Sequence, residues 1–158
     1  MKLPTKIIHT GALIIATALG VGFSPVAPGT CGTVIGLFLF WGMSDLPVWL
    51  YAAIVCLVVA VGTWAASITG KIYGEVDSQR IVIDEVAGYL ITMIASRPTI
   101  TEMLMGFVLF RFFDIVKPFP VDWADQKVKN AFGVMLDDIL AGVYGWGVLT
   151  LFRMLVPS

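Results

Sequence analysis

Charged residues are scarce in this sequence. Only 13% of its 158 residues are Asp, Glu, Lys or Arg, whereas soluble domains usually carry about 25%. The hydrophobic share is 58%, so the composition predicts an integral membrane protein. The formal net charge of −1 provides no broad basic surface, and nucleic acid is therefore not an expected partner.

Histidine and cysteine are nearly absent, which excludes several classes of phosphatase. His9 is the single histidine, whereas histidine-nucleophile lipid phosphatases use two. Cysteine-dependent phosphatases need an arginine six residues after the cysteine, and those positions hold Leu37 and Gly62. The cysteines, Cys31 and Cys56, form neither a disulfide framework nor a metal-ligand set. The Asp-rich pattern of lipid head-group transferases is also missing, so any reaction must use acids and a metal ion.

Apolar blocks separated by short polar segments organise the chain. A membrane-spanning helix needs about 20 apolar residues, so block 48–68 is the clearest span and block 34–43 is predicted to be short, tilted or re-entrant. The first block is predicted to span the membrane or to lie in its interface as a hairpin-like segment. The predicted fold class is all-α, a small polytopic helical membrane bundle with about four to six apolar helices, in one membrane-embedded domain over residues 1–158. The blocks cover residues 7–23, 34–43, 48–68, 83–96, 101–116 and 139–156.

The order of the blocks predicts that several polar segments meet on one side of the membrane. If the last three blocks each cross, the start of the fourth, the end of the fifth and the start of the sixth share a side. Counting backwards places loop 24–33 on that side as well. The positive-inside rule predicts that this side faces the cytoplasm, because it holds Lys71, Arg80, Lys117, Lys127 and Lys129, against Arg97 and Arg153 opposite.

The segment at 111–118, RFFDIVKP, places charged residues at the end of an apolar block. On a helix Arg111, Asp114 and Lys117 advance in steps of three and lie on one flank. Pro118 ends the helix and biases Lys117 away from helical geometry. Arg111 and Lys117 are predicted to hold an anion, Arg111 through its planar fork and Lys117 as a point charge. The alternative is that they only neutralise Asp114.

Two acidic pairs, Asp84-Glu85 and Asp137-Asp138, stand at the starts of apolar blocks. Charges there are costly unless they are paired. One acid of each pair can cap a helix N-terminus, but two acids indicate a cationic ligand. With Asp114, five carboxylates converge, and their oxygen atoms predict a bound Mg²⁺. Carboxylates, a metal and basic side chains are the groups that phosphoryl transfer uses.

Loop 24–33 contains two prolines, two glycines and two threonines before an apolar helix. Such a rigid loop is predicted to aim backbone amides at an anion, helped by the helix dipole. Its candidate phosphate-binding residues are Thr30, Gly32 and Thr33. The alternative is a structural turn in which Thr33 caps the helix. No Gly-Lys-Ser/Thr follows, so the loop is not a Walker motif.

Four segments, in this order along the chain, resemble the phosphatidylglycerophosphatase A family. The resemblance implies a Mg²⁺-dependent phosphatase of the bacterial inner membrane. Its substrate would be phosphatidylglycerophosphate, whose terminal phosphate is removed to give phosphatidylglycerol. Where the family tends to have glycines before the last segment, this chain has residues 130–132, NAF. The segments are loop 24–33, IVIDEVAGYLI (81–91), FRFFDIVKPFPVDWADQ (110–126) and GVMLDDILAG (133–142).

On this hypothesis the five carboxylates supply the metal ligands, and Arg111 and Lys117 complete the catalytic set. The metal would activate either water or an aspartate nucleophile. The expected partners are the lipid substrate and the bilayer. The competing hypothesis is a small channel or transporter whose acids bind a cation. Depth separates the two hypotheses, because a carrier places its acids near the bilayer midplane and this chain places them at helix ends.

Overall fold

The computed structural model describes residues 3–156, and all regular secondary structure in that range is helical. The predicted all-α class is confirmed. Residues 1, 2, 157 and 158, which the predicted domain includes, lie outside the described residues. The helices are α1 (Leu3–Ala16), α2 (Pro28–Met43), α3 (Val48–Tyr73), α4 (Ile83–Thr92), α5 (Ile100–Val116), α6 (Val121–Lys127) and α7 (Ala131–Leu155), with a 3-10 turn at Val21–Phe23.

Two helices, α3 with 26 residues and α7 with 25, are long and apolar enough to cross a membrane. Helices α1 and α2 are shorter but apolar. The outer side of α5 exposes Leu104, Val108, Phe112 and Ile115, whose spacing of three or four residues forms one stripe on a helix. An exposed apolar stripe of this kind suits contact with lipid. These features together indicate a small helical membrane protein.

Contacts between charged residues define two ends of the bundle. At one end Arg111 of α5 lies 3.9 Å from Glu85 of α4, and Lys117 lies 2.9 Å from Asp137 of α7. At the far end Arg153 of α7 lies 3.9 Å from Glu102 of α5. The start of α4, the end of α5 and the start of α7 therefore meet, as the order of the blocks predicted. We call this meeting place the acidic end.

The central helix of the bundle is α4, and it ends four residues before the apolar block 83–96 does. It has ten residues, of which eight are buried, and it packs against α2, α3, α5 and α7. Ten residues rise about 15 Å, half of a hydrocarbon core of about 30 Å. Helix α4 is therefore too short to cross such a core by itself, a crossing that the block-order argument took as its condition. The chain leaves the helix at Met93 and turns through Ala95, whose φ of +57° is left-handed.

Two helices begin earlier in the sequence than their apolar blocks. Helix α2 starts at Pro28, so Thr33 lies inside it and is not its cap. Helix α7 starts at Ala131, where Asn130 accepts hydrogen bonds from the N–H groups of Phe132 and Gly133 at 3.0 Å. The acids at 137 and 138 therefore lie inside a helix and do not cap it. Both predicted capping alternatives are wrong, because α2 begins with a Pro-Gly-Thr turn and the acidic pair interrupts the apolar pattern inside α7.

The first apolar block does not form one continuous helix. Helix α1 ends at Ala16, and the chain then turns through Ala18, Leu19 and Gly20, which all have positive φ. The carbonyl of Ala16 accepts a hydrogen bond of 2.9 Å from the N–H of Val82, next to α4. Block 7–23 therefore consists of most of α1, a turn and the 3-10 segment at Val21–Phe23.

Helices α4 and α7 approach each other closely at two glycines. A Cβ atom added to Gly142 would lie 2.5 Å from the carbonyl oxygen of Gly88, and one added to Gly88 would collide with the ring of Phe110. The hydroxyl of Thr92 lies 3.1 Å from the Gly88 carbonyl and 3.2 Å from the Gly142 carbonyl. Because neither backbone can move away easily, this contact fixes the position of α7 against α4.

The substitution Gly142→Ala is expected to destabilise the protein by about 1–3 kcal/mol. The added methyl group would press on a backbone carbonyl, which cannot move aside as a flexible side chain can. Thermal unfolding in detergent measures the effect. Gly147→Ala is the matched control on the same helix, because its Cβ would meet open space and alanine favours a helix. Equal melting temperatures for the two variants would contradict the proposed contact.

Candidate active site

Three carboxylates face one another at the acidic end. Asp84 and Glu85 lie in the first turn of α4, and Asp138 lies two turns into α7. Each offers an oxygen atom within 4.8 Å of the other two. Asp84 and Asp138 are only 8% and 4% exposed. The close contact between α4 and α7 explains this approach, since the carbonyl of Asp138 would lie 2.8 Å from a Cβ at Gly88.

The electrostatics of these acids favour a cation. Burial, followed by the neighbouring charges of Glu85 and Asp138, raises the pKa of Asp84 well above its usual value. Burial likewise raises the pKa of Glu85. One oxygen of Glu85, Oε2, is buried without a hydrogen-bond partner among the described residues. A divalent ion would offset the repulsion and use that free oxygen. The donor set consists of oxygen atoms only, which fits Mg²⁺.

Arg111 lies beside this acid cluster. Its Nη1 atom is 2.6 Å from Oδ2 of Asp114 and 3.9 Å from Oε1 of Glu85. Although the first distance is short, Nη1 makes no hydrogen bond of acceptable geometry within residues 3–156, so the contact is a charge contact. The guanidinium thus retains donor capacity for another ligand. Asp114 holds the guanidinium at the border of the cluster.

Lys117 forms a second ionic group. Its ammonium lies 2.8 Å from Asp125 and 2.9 Å from Asp137. Burial lowers the pKa of Lys117, but its hydrogen bonds and charge contacts with these two acids outweigh burial and raise the pKa above its usual value. Lys117 is therefore cationic throughout the physiological pH range. Pro118 follows it and disfavours helical geometry, and the φ of Lys117 is +47°.

The structure therefore divides the predicted basic flank. Arg111 and Asp114 share one face of α5 as expected, with a direct charge contact. Lys117 leaves that face and turns towards α6 and α7. The prediction that all three lie on one helical flank is wrong, because α5 ends at Val116 and Lys117 has left-handed geometry.

The first turn of α2 lies against the acid cluster. A Cβ added to Gly29 would collide with Oε1 of Glu85 and would lie 3.3 Å from Nη1 of Arg111. In the first turn of a helix the N–H groups of Gly29 and Thr30 lack partners within the helix. These two residues line a cavity of about 480 Å³ together with Asp84, Glu85 and Arg111. We call it the acid cavity.

The other two loop residues predicted to bind phosphate lie behind this cavity. A Cβ added to Gly32 would lie 2.9 Å from Cβ of Val82. Thr33 is fully buried, and its hydroxyl donates to the carbonyl of Gly29 at 3.0 Å. Neither lines the acid cavity. The absence of a side chain at Gly32 lets α2 approach the start of α4, and the hydrogen bond from Thr33 helps to position Gly29.

Three residues near the site gave no clear signal in the sequence. Gly29 is one of several glycines, and only the structure shows that its missing side chain leaves room for Glu85. Asp125 lies in a short polar helix without a paired acid beside it, and its pairing with Lys117 depends on the turn at Pro118. Asp77 is an exposed acid in the α3–α4 loop that also lines the acid cavity. Its polar surroundings in the sequence made it resemble an ordinary solvated loop residue.

Comparisons with known proteins agree with the four-segment resemblance. The family model described as Phosphatidylglycerophosphatase A matches residues 14–153, which include every site residue above. The Phosphatidylglycerophosphatase A of Escherichia coli (strain K12) is 37% identical over 137 residues, covering 86% of this chain and 80% of the relative. The protein of that name from Haemophilus influenzae is also 37% identical over 137 residues, covering 83% and 82%. The predicted resemblance is confirmed.

A further relative carries a different substrate in its name. A protein from Bacteroides thetaiotaomicron, provisionally named a phosphatidylinositol-3-phosphatase, is 36% identical over 152 residues, covering 91% of this chain and 94% of the relative. No solved structure matches the chain.

The substitution Gly29→Ala is expected to weaken divalent-cation binding about 10- to 100-fold, the usual effect of disturbing the support of a ligand. The added methyl group would displace the carboxylate of Glu85. Mn²⁺ binding, followed by electron paramagnetic resonance of the free ion, measures the effect. Gly42→Ala is the control in the same helix, because its Cβ would meet open space. Unchanged Mn²⁺ affinity in Gly29→Ala would show that Glu85 is not a ligand.

Proposed function

The chain belongs to the phosphatidylglycerophosphatase A family, and from this we propose that it hydrolyses phosphatidylglycerophosphate to phosphatidylglycerol and inorganic phosphate with Mg²⁺. The broader prediction of a phosphoric monoester hydrolase is confirmed by the family and by the names of two relatives. One observation carries the finer proposal. Three carboxylates, Asp84, Glu85 and Asp138, face one another at one end of the bundle, and the first two line a cavity together with the guanidinium of Arg111.

In this proposal Asp84, Glu85 and Asp138 hold the metal. They are the three acids whose oxygens lie within 4.8 Å of one another. Bound Mg²⁺ would neutralise the phosphate and activate the attacking group. Asp114 and Asp137, the other two predicted ligands, contact Arg111 and Lys117. We propose that Asp114 and Asp137 position these two basic side chains. Their remaining carboxylate oxygens would be available to the metal.

The phosphate oxygens would be bound by Arg111 and by the N–H groups of Gly29 and Thr30. These groups line the acid cavity from two directions, and such fixed donors stabilise charge that develops on a phosphoryl group. Lys117 would add positive charge at the α6–α7 side of the site. During hydrolysis the bond between phosphorus and the glycerol oxygen breaks. Water supplies the hydroxyl group to phosphorus and a proton to the leaving glycerol oxygen, either directly or after transfer of the phosphoryl group to an aspartate.

The lipid substrate explains why such a site belongs in a membrane bundle. Helices α3 and α7 are long enough to cross the bilayer, and the acidic end would then lie at one interface, where a lipid phosphate is found. We propose that residues 1–158 act as one multi-pass domain of the bacterial inner membrane. The excess of Lys and Arg on the side of the acidic end supports a cytoplasmic site.

The position of the acids favours an enzyme over a cation carrier. Asp84 and Glu85 occupy the first turn of α4, next to a cavity lined partly by loop residues. A carrier would place its acids near the bilayer midplane, between broken helices.

Purified protein in detergent is expected to release phosphate from phosphatidylglycerophosphate with Mg²⁺, and to stop when EDTA is added. The relatives differ in the substrates they are named for, so the assay should include phosphatidylinositol 3-phosphate under the same conditions. Preference for the glycerol lipid is expected. Preference for the inositol lipid would change the proposed substrate, but the proposed reaction, hydrolysis of a lipid phosphate monoester, would stand. No release from either lipid, together with cation flux in liposomes, would establish the carrier.

Asp84→Asn and Asp138→Asn are each expected to lower turnover by at least about 100-fold, because an amide loses the negative charge that holds the metal. Both variants should remain folded and inserted, since the two side chains are nearly isosteric. Phosphate release and thermal unfolding measure the two effects. Asp45→Asn is the control, because Asp45 is exposed in the loop between α2 and α3. Full turnover in both site variants would rule out the proposed metal centre.

A further inference from the structure

A second cavity adjoins the acid cavity at the acidic end. Its volume is about 830 Å³. The two cavities share part of their lining, including Pro25, Pro28, Asp77 and Gln79. Arg80 lines the second cavity but not the acid cavity. We call it the Arg80 cavity. A molecule bound through one end in the acid cavity can therefore extend into the Arg80 cavity without crossing a helix.

Arg80 is held by aromatic rings and not by acids. Its guanidinium carbon lies 5.1 Å from the ring centre of Tyr73 and 5.9 Å from that of Phe23. These distances are typical of cation–π contacts. Among the described residues Arg80 forms no ion pair. Contacts with ring faces leave the N–H groups at the edge of the guanidinium available to an anion.

The backbone around Arg80 is fixed in place. A Cβ added to Gly22 would collide with the carbonyl oxygen of Arg80, so the turn at 21–23 packs directly on this residue. The N–H of Ile81 donates to the carbonyl of Ser78 at 2.8 Å, and the N–H of Val82 donates to Ala16 at 2.9 Å. The guanidinium is therefore presented from a backbone with little freedom, and less ordering is needed when an anion binds.

We propose that Arg80 binds the phosphodiester of the lipid substrate and is a specificity-determining residue for substrates that carry one. This inference rests on the proposed function, because phosphatidylglycerophosphate has two phosphates joined by one glycerol unit. The terminal monoester occupies the acid cavity, and the diester reaches the Arg80 cavity. The aromatic rings of Phe23 and Tyr73 suit the membrane interface, which is where the diester of a phospholipid lies.

The acids of the Arg80 cavity fit the same ligand. Glu75 and Asp77 line this cavity and would repel an anion that offered only oxygen acceptors. The glycerol unit between the two phosphates carries a hydroxyl group, which can donate a hydrogen bond to a carboxylate. A ligand that alternates phosphate, hydroxyl and phosphate therefore matches the arrangement of guanidinium and carboxylate groups.

Arg80→Ala tests the proposal by comparing ligands that carry a phosphodiester with orthophosphate, which carries none. The KM for phosphatidylglycerophosphate and the inhibition constant of glycerophosphoglycerol, a soluble diester, are expected to rise about tenfold, the loss typical of one charge-assisted contact. The kcat and the inhibition constant of orthophosphate should change less than about twofold. Arg80→Lys should fall between, because it keeps the charge and loses the planar fork. Lys71→Ala, a basic residue lining a different cavity, should leave all values unchanged.

Two results would overturn the proposal. One is an inhibition constant for glycerophosphoglycerol that is unchanged in Arg80→Ala. The other is an equal rise in the inhibition constants of glycerophosphoglycerol and orthophosphate, which would indicate general damage to the site. Glycerophosphoglycerol binding to wild type and Arg80→Ala, followed by saturation-transfer NMR, does not depend on turnover. A protein that binds this diester through Arg80 but releases no phosphate would contradict the proposed function alone.

Discussion

The site depends on the direct backbone contact between α4 and α7. Where Gly88 and Gly142 meet, neither residue has room for a side chain, and the two helices lie closer than larger residues would permit. This approach brings Asp138 within reach of Asp84 and Glu85. A separation larger by one methyl group would move these carboxylates apart, and they could no longer share one cation. The glycines thus set the geometry of acids that lie one or more turns away along the helices.

The distribution of charge follows from the same geometry. Arg111 contacts Asp114, and Lys117 contacts Asp125 and Asp137. These contacts leave Asp84, Glu85 and Asp138 as a cluster to which Arg111 contributes a long contact of 3.9 Å with Glu85. Carboxylates buried so close together are unfavourable without a counter-ion. A divalent cation would offset this repulsion, and the basic residues would remain able to contact an anionic substrate.

Hydropathy and block order predicted much of this arrangement from the sequence. They placed the two acidic pairs, Arg111 and loop 24–33 at one end. Successive apolar blocks run in opposite directions, so the order of the blocks is enough to tell which of their ends lie together. The length of α4 was beyond this reasoning, since a buried short helix and a spanning helix have similar composition. The pairing of Lys117 with Asp125 also escaped prediction, because it follows from the left-handed turn before Pro118. Gly29 and Arg80 matter through tertiary contacts that no local pattern encodes.

A chain with only ten Lys and Arg residues cannot bind an anionic lipid through a broad basic surface. The structure instead places single cations in defined positions and supplements them with backbone N–H groups of α2. Arg111 is held by an acid and Arg80 by aromatic rings, and the difference has a physical consequence. An acid reduces the net charge that a ligand meets, whereas an aromatic ring orients the guanidinium and leaves its full charge. Arg111 thus suits a site whose positive charge is completed by a metal, and Arg80 suits a phosphate that binds without one.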